Sequence, residues 1–159
     1  MRVASLALIA LETNSDRRDT GRKSSESAML IVMAESVPMA VILIVEDDVF
    51  VRSDAEAMIQ GWNHRTLLAS DVDEALSLLR SSHHIDALFT DIYLKRAVLG
   101  GCDLAPQAVM LWPKLRVLYT TGNSINDKMK ALFVEGAHFL PKPYAPHQLQ
   151  TAVEGLLAA

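Results

Sequence analysis

The sequence predicts an α/β fold, a five-stranded parallel sheet with helices on both faces, and three observations carry that prediction. Apolar runs of strand length recur: Val41-Ile42-Leu43-Ile44-Val45, Ala87-Leu88-Phe89-Thr90, Val117-Leu118-Tyr119-Thr120 and His138-Phe139-Leu140-Pro141. Segments with helical spacing of apolar residues alternate with them, and Gly or Pro marks the junctions. Each run ends in a chemically distinctive group, in turn Glu46-Asp47-Asp48, Asp91, Thr121-Gly122 and Lys142-Pro143. In an open parallel sheet the chemistry sits just beyond the carboxyl ends of the strands, so four such ends compose one site.

The 159 residues suffice for one domain with a proper core and are too few for two of ordinary size. A content of 50% hydrophobic and 21% charged residues is globular, and a net charge of -4 argues against general nucleic-acid binding, which needs a basic face. The single cysteine, Cys102, excludes an internal disulfide and fits a reducing compartment, so a cytoplasmic location is expected. The pair His83-His84 points apart and has no zinc-like companions. No apolar run approaches the about 18 residues that span a bilayer, and no membrane association is expected.

Residues 1–39 read as a flexible N-terminal extension, and residues 40–159 as the folded domain. Met1-Arg2 and the apolar stretch 3–11 have the outline of a short signal-peptide core but lack a small-residue cleavage site. Residues 12–27 are polar and charged, as in a linker. Met33 and Met39 are alternative starts, so the extension is not required to be native and is expected to carry no chemistry.

The first strand spans 41–45. A helix follows over 49–59, with Phe50, Ala57 and Met58 as its apolar residues, Arg52, Asp54 and Glu56 exposed, Asp48 as cap and Gly61 as terminator. The second strand, 65–69, is weaker and reads as an edge. Ser70 or Asp71 caps the next helix, whose Val72, Ala75, Leu76 and Leu79 line one face at i, i+3, i+4 and i+7. The third strand, 86–90, delivers Asp91. The loop 92–101 then turns at its two glycines into a helix over 103–111 that Pro113 stops. The fourth strand is 115–120, and a helix over 125–134 ends at Gly136. The fifth strand is 138–140, and the last helix, 145–157, turns Leu149, Val153, Leu156 and Leu157 inward. Right-handed crossovers make this βαβαβαβαβα order a flavodoxin-like (βα)5 sheet with strand order 2-1-3-4-5. Strands one and three are then neighbours at the switch point, where Glu46, Asp47 and Asp91 converge.

Three carboxylates at one edge cannot all stay ionised in a partly buried pocket without positive charge. A hard cation answers that need: Asp47 and Asp91 as oxygen ligands, a backbone carbonyl near Tyr93 and several waters suit Mg²⁺. Lys142 brings an ammonium to the same edge. Such equipment accepts a phosphoryl group, with Asp91 as nucleophile, the cation and Lys142 neutralising equatorial oxygens, and Thr121 hydrogen-bonding the product. The product is an acyl phosphate, so the protein acts as a switch and not as a turnover enzyme.

These residues resemble the receiver domain of two-component response regulators. The resemblance rests on Val41 through Asp48, Thr90-Asp91, Leu118 through Gly122, and Gly136 through Tyr144, and covers about residues 41–157. It implies that Asp91 is the phosphorylated aspartate, that Glu46 and Asp47 are the acidic pair with Asp47 the direct metal ligand, and that Asp48 belongs to the helix start. Thr121 would be the switching hydroxyl, Phe139 the aromatic that swings inward with it, and Lys142-Pro143 the lysine with its cis-proline bond. The chain departs from the family after Asp91. Lys95-Arg96-Ala97-Val98 intervene and the glycines come late, as though about two residues were inserted, and two basic residues there would weaken or mimic the metal.

The resulting expectation is a stand-alone cytoplasmic receiver, since the fifth helix closes the sequence. It would take phosphate on Asp91 from a sensor histidine kinase or a histidine phosphotransfer protein. Its output would pass by protein contact through the fourth helix, fifth strand and fifth helix, or by draining phosphate; pairing into a homodimer stays open. Val51 and Arg52 would border the kinase-docking face. The alternative is a degenerate receiver that binds protein without phosphorylation. A phosphohydrolase would need a cap that the chain lacks, and a nucleotide-binding protein would need a Gly-rich loop after the first strand.

Overall fold

The computed structural model describes residues 39–81, 84–94 and 99–159. Most of the N-terminal extension, including Met33, the inserted residues 95–98 and His83 lie outside the described residues.

The elements run β1 (Val41–Val45), α1 (Val49–Gly61), β2 (Arg65–Ala69), α2 (Val72–Arg80), β3 (Ala87–Asp91), α3 (Gly100–Leu111), β4 (Arg116–Thr121), α4 (Asp127–Lys130), β5 (His138–Pro141) and α5 (Pro146–Ala158). The five strands pair in parallel in the order β2-β1-β3-β4-β5, as the sequence predicts. β3 is central and all five of its residues are buried.

The two-residue period of the strands sorts the core into two layers. Leu43, Val45, Leu88, Val117 and Tyr119 pack with Ala75, Leu76 and Leu79 of α2 and Leu104, Ala105 and Ala108 of α3. On the other face Ile42, Ile44, Ala87, Phe89, Leu118 and Leu140 pack with Ala55 and Ile59 of α1 and Leu149, Val153 and Leu156 of α5.

The caps follow the local chemistry. Asp48 accepts from the Phe50 and Val51 N–H groups at 2.9 and 3.2 Å, and Asp71, not Ser70, caps α2 by accepting from Glu74 N–H at 2.9 Å.

Four details differ from the sequence reading. First, α1 turns inward through Ala55 and Ile59, with Met58 only partly buried, Ala57 exposed and Phe50 78% exposed. Ala55 and Ile59, four residues apart, pack against the sheet, while Arg52 is half-buried and donates from Nη1 to the Glu46 carbonyl at 2.5 Å. Second, Gly61 stays inside α1, and Asn63 takes the left-handed conformation (φ 66) that closes the turn.

Third, α3 begins at Gly100, so both glycines are helical and Leu99 holds the left-handed position (φ 64) before them. Gly101 packs so closely on β3 that a Cβ would lie 2.1 Å from the Asp91 carbonyl oxygen. Fourth, α4 is one turn, Asp127–Lys130, in place of a helix over 125–134. Beyond it the bonds tighten to three-residue spacing, Leu132 N–H to Met129 O and Phe133 N–H to Lys130 O. The Phe133 ring stacks on Tyr119 at 4.2 Å between centroids, and the Val134 N–H donates to the Tyr119 hydroxyl at 3.4 Å. Packing on the sheet overrides the helical propensity of this segment.

Candidate functional site

The carboxyl ends of β1, β3, β4 and β5 bring Glu46, Asp91, Thr121 and Lys142 to one edge. Lys142 is the centre of the arrangement: Nζ donates to Glu46 Oε2 at 2.5 Å and to Asp91 Oδ2 at 2.6 Å. Its backbone N–H donates to the Thr121 carbonyl at 2.9 Å, and the following Lys142-Pro143 peptide is cis. The lysine is thus held at both ends, by the chain end of β4 and by two acids from β1 and β3.

The two acids are buried, Glu46 at 5% exposure and Asp91 at 8%. Their remaining oxygens take backbone donors: Glu46 Oε1 accepts from Asp48 N–H at 3.2 Å, and Asp91 Oδ1 from Tyr93 N–H at 3.0 Å. Asp48 is spent on the α1 cap, while Asp47 is half-buried at the rim.

Burial pushes the Glu46 carboxyl above its usual range and Lys142 only partly offsets this, because Asp91 shares the same ammonium and repels Glu46. Burial alone would lower the Lys142 pKa, but bonds and charge from Asp91 and Glu46 outweigh it and raise it. Both values are raised, and the geometry explains it: one ammonium serves two carboxylates, so Lys142 is held charged while Glu46 is only partly compensated. Tyr144, packed on Phe89 at 6.2 Å, has its hydroxyl pushed up to about 12 by burial and by the carboxylates of Glu46, Asp91 and Asp54, against a lowering by Lys142.

Thr121 is 2% exposed, and its Oγ1 accepts from Asn123 N–H at 3.2 Å. Phe139 is half-buried and lies 6.1 Å from Phe133, between centroids. Among the described residues no three His, Cys, Asp or Glu side chains form a metal-holding group. The expected three-acid cluster is therefore interrupted, because the Lys142 ammonium occupies the space between Glu46 and Asp91. The groups that the sequence reading assigns to a cation, Asp47, Asp91 and the Tyr93 carbonyl, are all oxygen donors, and Asp47 and Asp91 carry acid in excess of the one ammonium. That set fits a hard divalent cation that retains water, and it fits no soft metal.

Sequence reasoning missed three residues here. Gly101 supports the Asp91 backbone, Tyr144 roofs the carboxylates, and Thr120 lies beside Asp91 in register. Only Thr120 had a readable signal, since strand alternation puts 118 and 120 on one face.

A doubly wound parallel sheet with buried acid, lysine and hydroxyl at one edge of its switch point defines a receiver-type α/β domain. The response regulator receiver domain family matches residues 42–154, and the chain belongs to it. Response regulator MprA of Mycolicibacterium vanbaalenii is 30% identical over 117 residues, 73% of this chain and 49% of that protein. The chain thus spans about half the length of the curated relatives it matches. A response regulator receiver protein from Sinorhizobium medicae superposes with a TM-score of 0.71 at 26% identity, covering 77% of this chain and 98% of that one. NtrX from Brucella abortus gives 0.68 at 27% identity, over 76% of this chain and 27% of that one.

Proposed function

We propose that this receiver takes a phosphoryl group on Asp91 from the phosphohistidine of a sensor histidine kinase or a phosphotransfer protein. The observation that carries the reading is the pair of hydrogen bonds that Lys142 Nζ donates to Glu46 and Asp91, which orients a buried carboxylate and keeps a cation beside it. In the transfer, an Asp91 oxygen forms a bond to phosphorus as the donor's bond to phosphorus breaks, the donor leaving with the electron pair. Lys142 offsets charge on the phosphoryl oxygens, and Thr121 reaches them once it exchanges its bond with Asn123. Asp47, Asp91 and the Tyr93 carbonyl are the groups that would hold Mg²⁺, which when bound neutralises phosphoryl oxygens. Beyond its own phosphorylation and dephosphorylation the domain turns over no substrate.

The response leaves by protein contact across α4, β5 and α5, with Phe139 reporting the state of Thr121. Val51 and Arg52 border the face offered to the kinase. We read the protein as a cytoplasmic regulator that works through protein partners. Among the described residues no helix is long and apolar enough to cross a membrane.

The test is incubation with acetyl phosphate, with and without Mg²⁺, read by intact mass beside Asp91→Asn. A Mg²⁺-dependent gain of one phosphoryl group that the variant lacks supports the switch. No gain at any Mg²⁺ concentration replaces it with a docking module that works without phosphorylation.

A further inference from the structure

We propose that Thr120 is a working member of the site: its hydroxyl donates to the Asp91 acyl oxygen that Lys142 releases on phosphorylation, and so governs how long the phosphoryl group stays. The proposal rests on the phosphoacceptor reading of Asp91. Among the described residues, Thr120 Oγ1 is a buried side-chain oxygen with no hydrogen-bond partner, and the residue is 2% exposed. Asp91 and Thr120 are register partners on β3 and β4, so their side chains stand on the same face of the sheet. Both line a narrow crevice with Glu46, Phe89 and Tyr144 that has no room for a water molecule.

A buried hydroxyl without a partner is costly, and valine would fill the same space without that cost. The orphan gains a purpose when Asp91 changes. At rest Asp91 has one donor on each oxygen, Tyr93 N–H and Lys142 Nζ. Once an Asp91 oxygen is bonded to phosphorus, the negative charge lies on the phosphoryl group and the ammonium follows it, leaving the acyl group short of a donor beside Thr120. In hydrolysis, water bonds to phosphorus, the acyl oxygen–phosphorus bond breaks, the electron pair stays on the Asp91 carboxylate and the water proton leaves with phosphate or solvent. A donor on the departing carboxylate stabilises its growing charge and speeds that loss.

The experiment uses the full chain, loaded with acetyl phosphate and Mg²⁺, freed of donor and followed by intact mass. Thr120→Val is expected to hold its phosphoryl group about tenfold longer than the parent, and Thr120→Ser to match the parent. In thermal unfolding of the unphosphorylated proteins, Thr120→Val is expected to melt about 3 to 5 °C higher, because an orphan is removed. Equal lifetimes for parent and valine variant overturn the proposal alone. So does a lower melting temperature for the valine variant, which would mean that the hydroxyl is already bonded at rest. A parent that gains no phosphoryl group overturns the acceptor reading and this proposal together.

Discussion

Lys142 and Asp91 come from elements 51 residues apart in sequence, yet the ammonium and carboxylate are 2.6 Å apart with both side chains nearly out of solvent. The same ammonium reaches Glu46, so one cation stabilises two buried acids that would otherwise repel each other. The pair joins β5 to the switch point of the sheet, and it ties the stability of the domain to the groups that carry its chemistry.

Removing the cation leaves two acids buried without compensation. Lys142→Met is expected to lower unfolding free energy by about 3 kcal/mol at pH 8. Glu46 already titrates above its usual range, chiefly through burial, and would rise further without the lysine. A group with a raised folded pKa favours the folded state below its unfolded value and loses that contribution as pH rises through the folded value. The deficit of the variant therefore shrinks as pH falls from 8 toward 4.5, the ordinary glutamate value. Urea unfolding of both proteins across that range measures it, and a deficit that grows in acid contradicts the account.

Gly101 is required by the closeness of α3 to β3. A methyl group there would meet the Asp91 carbonyl oxygen at 2.1 Å and its carbonyl carbon at 2.9 Å, both backbone atoms that cannot step aside. Gly101→Ala is expected to cost about 3 kcal/mol of stability and to reduce phosphorylation of Asp91, because β3 must shift to admit it. Gly61, with open space around its Cβ position, is the control, and Gly61→Ala is expected to be neutral or stabilising. Comparable losses in both variants would show that close approach is not the cause.

The short α4 rests on Phe133. Its ring is half-buried, stacked on Tyr119 with an interplanar angle of 21°, and it extends to Phe139. Phe133→Ala is expected to cost about 2 kcal/mol, below the full core value because the ring is partly exposed. It should also raise hydrogen exchange at the Val134 amide, whose acceptor is the Tyr119 hydroxyl. Exchange confined to α1 instead would sever the link between this stack and the turn.

Much of the fold was legible because the strands carry their own signal. Runs such as Ile42 to Val45 and Ala87 to Phe89 are buried on both faces, and a continuous apolar run bounded by polar turns is what such strands require. The acids, threonine and lysine at their ends were legible for the same reason, since the parallel order sends every carboxyl end to one edge. Side-chain detail was not. The inward side of α1 rests on Ala55 and Ile59 alone, too short an apolar pattern to outweigh Phe50, Ala57 and Met58 in the sequence. The end of α4 depends on an aromatic partner 14 residues upstream in β4, so local propensity pointed the wrong way. The interruption of the acid cluster by Lys142 is likewise a distance, visible only once four strand ends are assembled.

His64 shows how a buried polar group hides in a sequence and governs pH response. It follows α1, is 6% exposed, and its Nδ1 accepts the Ala40 N–H at 3.3 Å, tying the turn before β2 to the entrance of β1. An acceptor at Nδ1 requires the neutral ring, and burial lowers the pKa below the ordinary 6.5, against weaker raising by Glu154 and Asp86. Unfolded chains therefore bind a proton in a range where the folded protein does not. The neutral ring contributes its full stability above pH 6.5 and loses it as pH falls below that value through the folded pKa. His64→Asn retains an oxygen acceptor near Nδ1 and does not titrate, so its stability is expected to be flatter than that of the parent between pH 7 and about 5. Parallel unfolding curves for the two proteins over that range would place the acid sensitivity elsewhere.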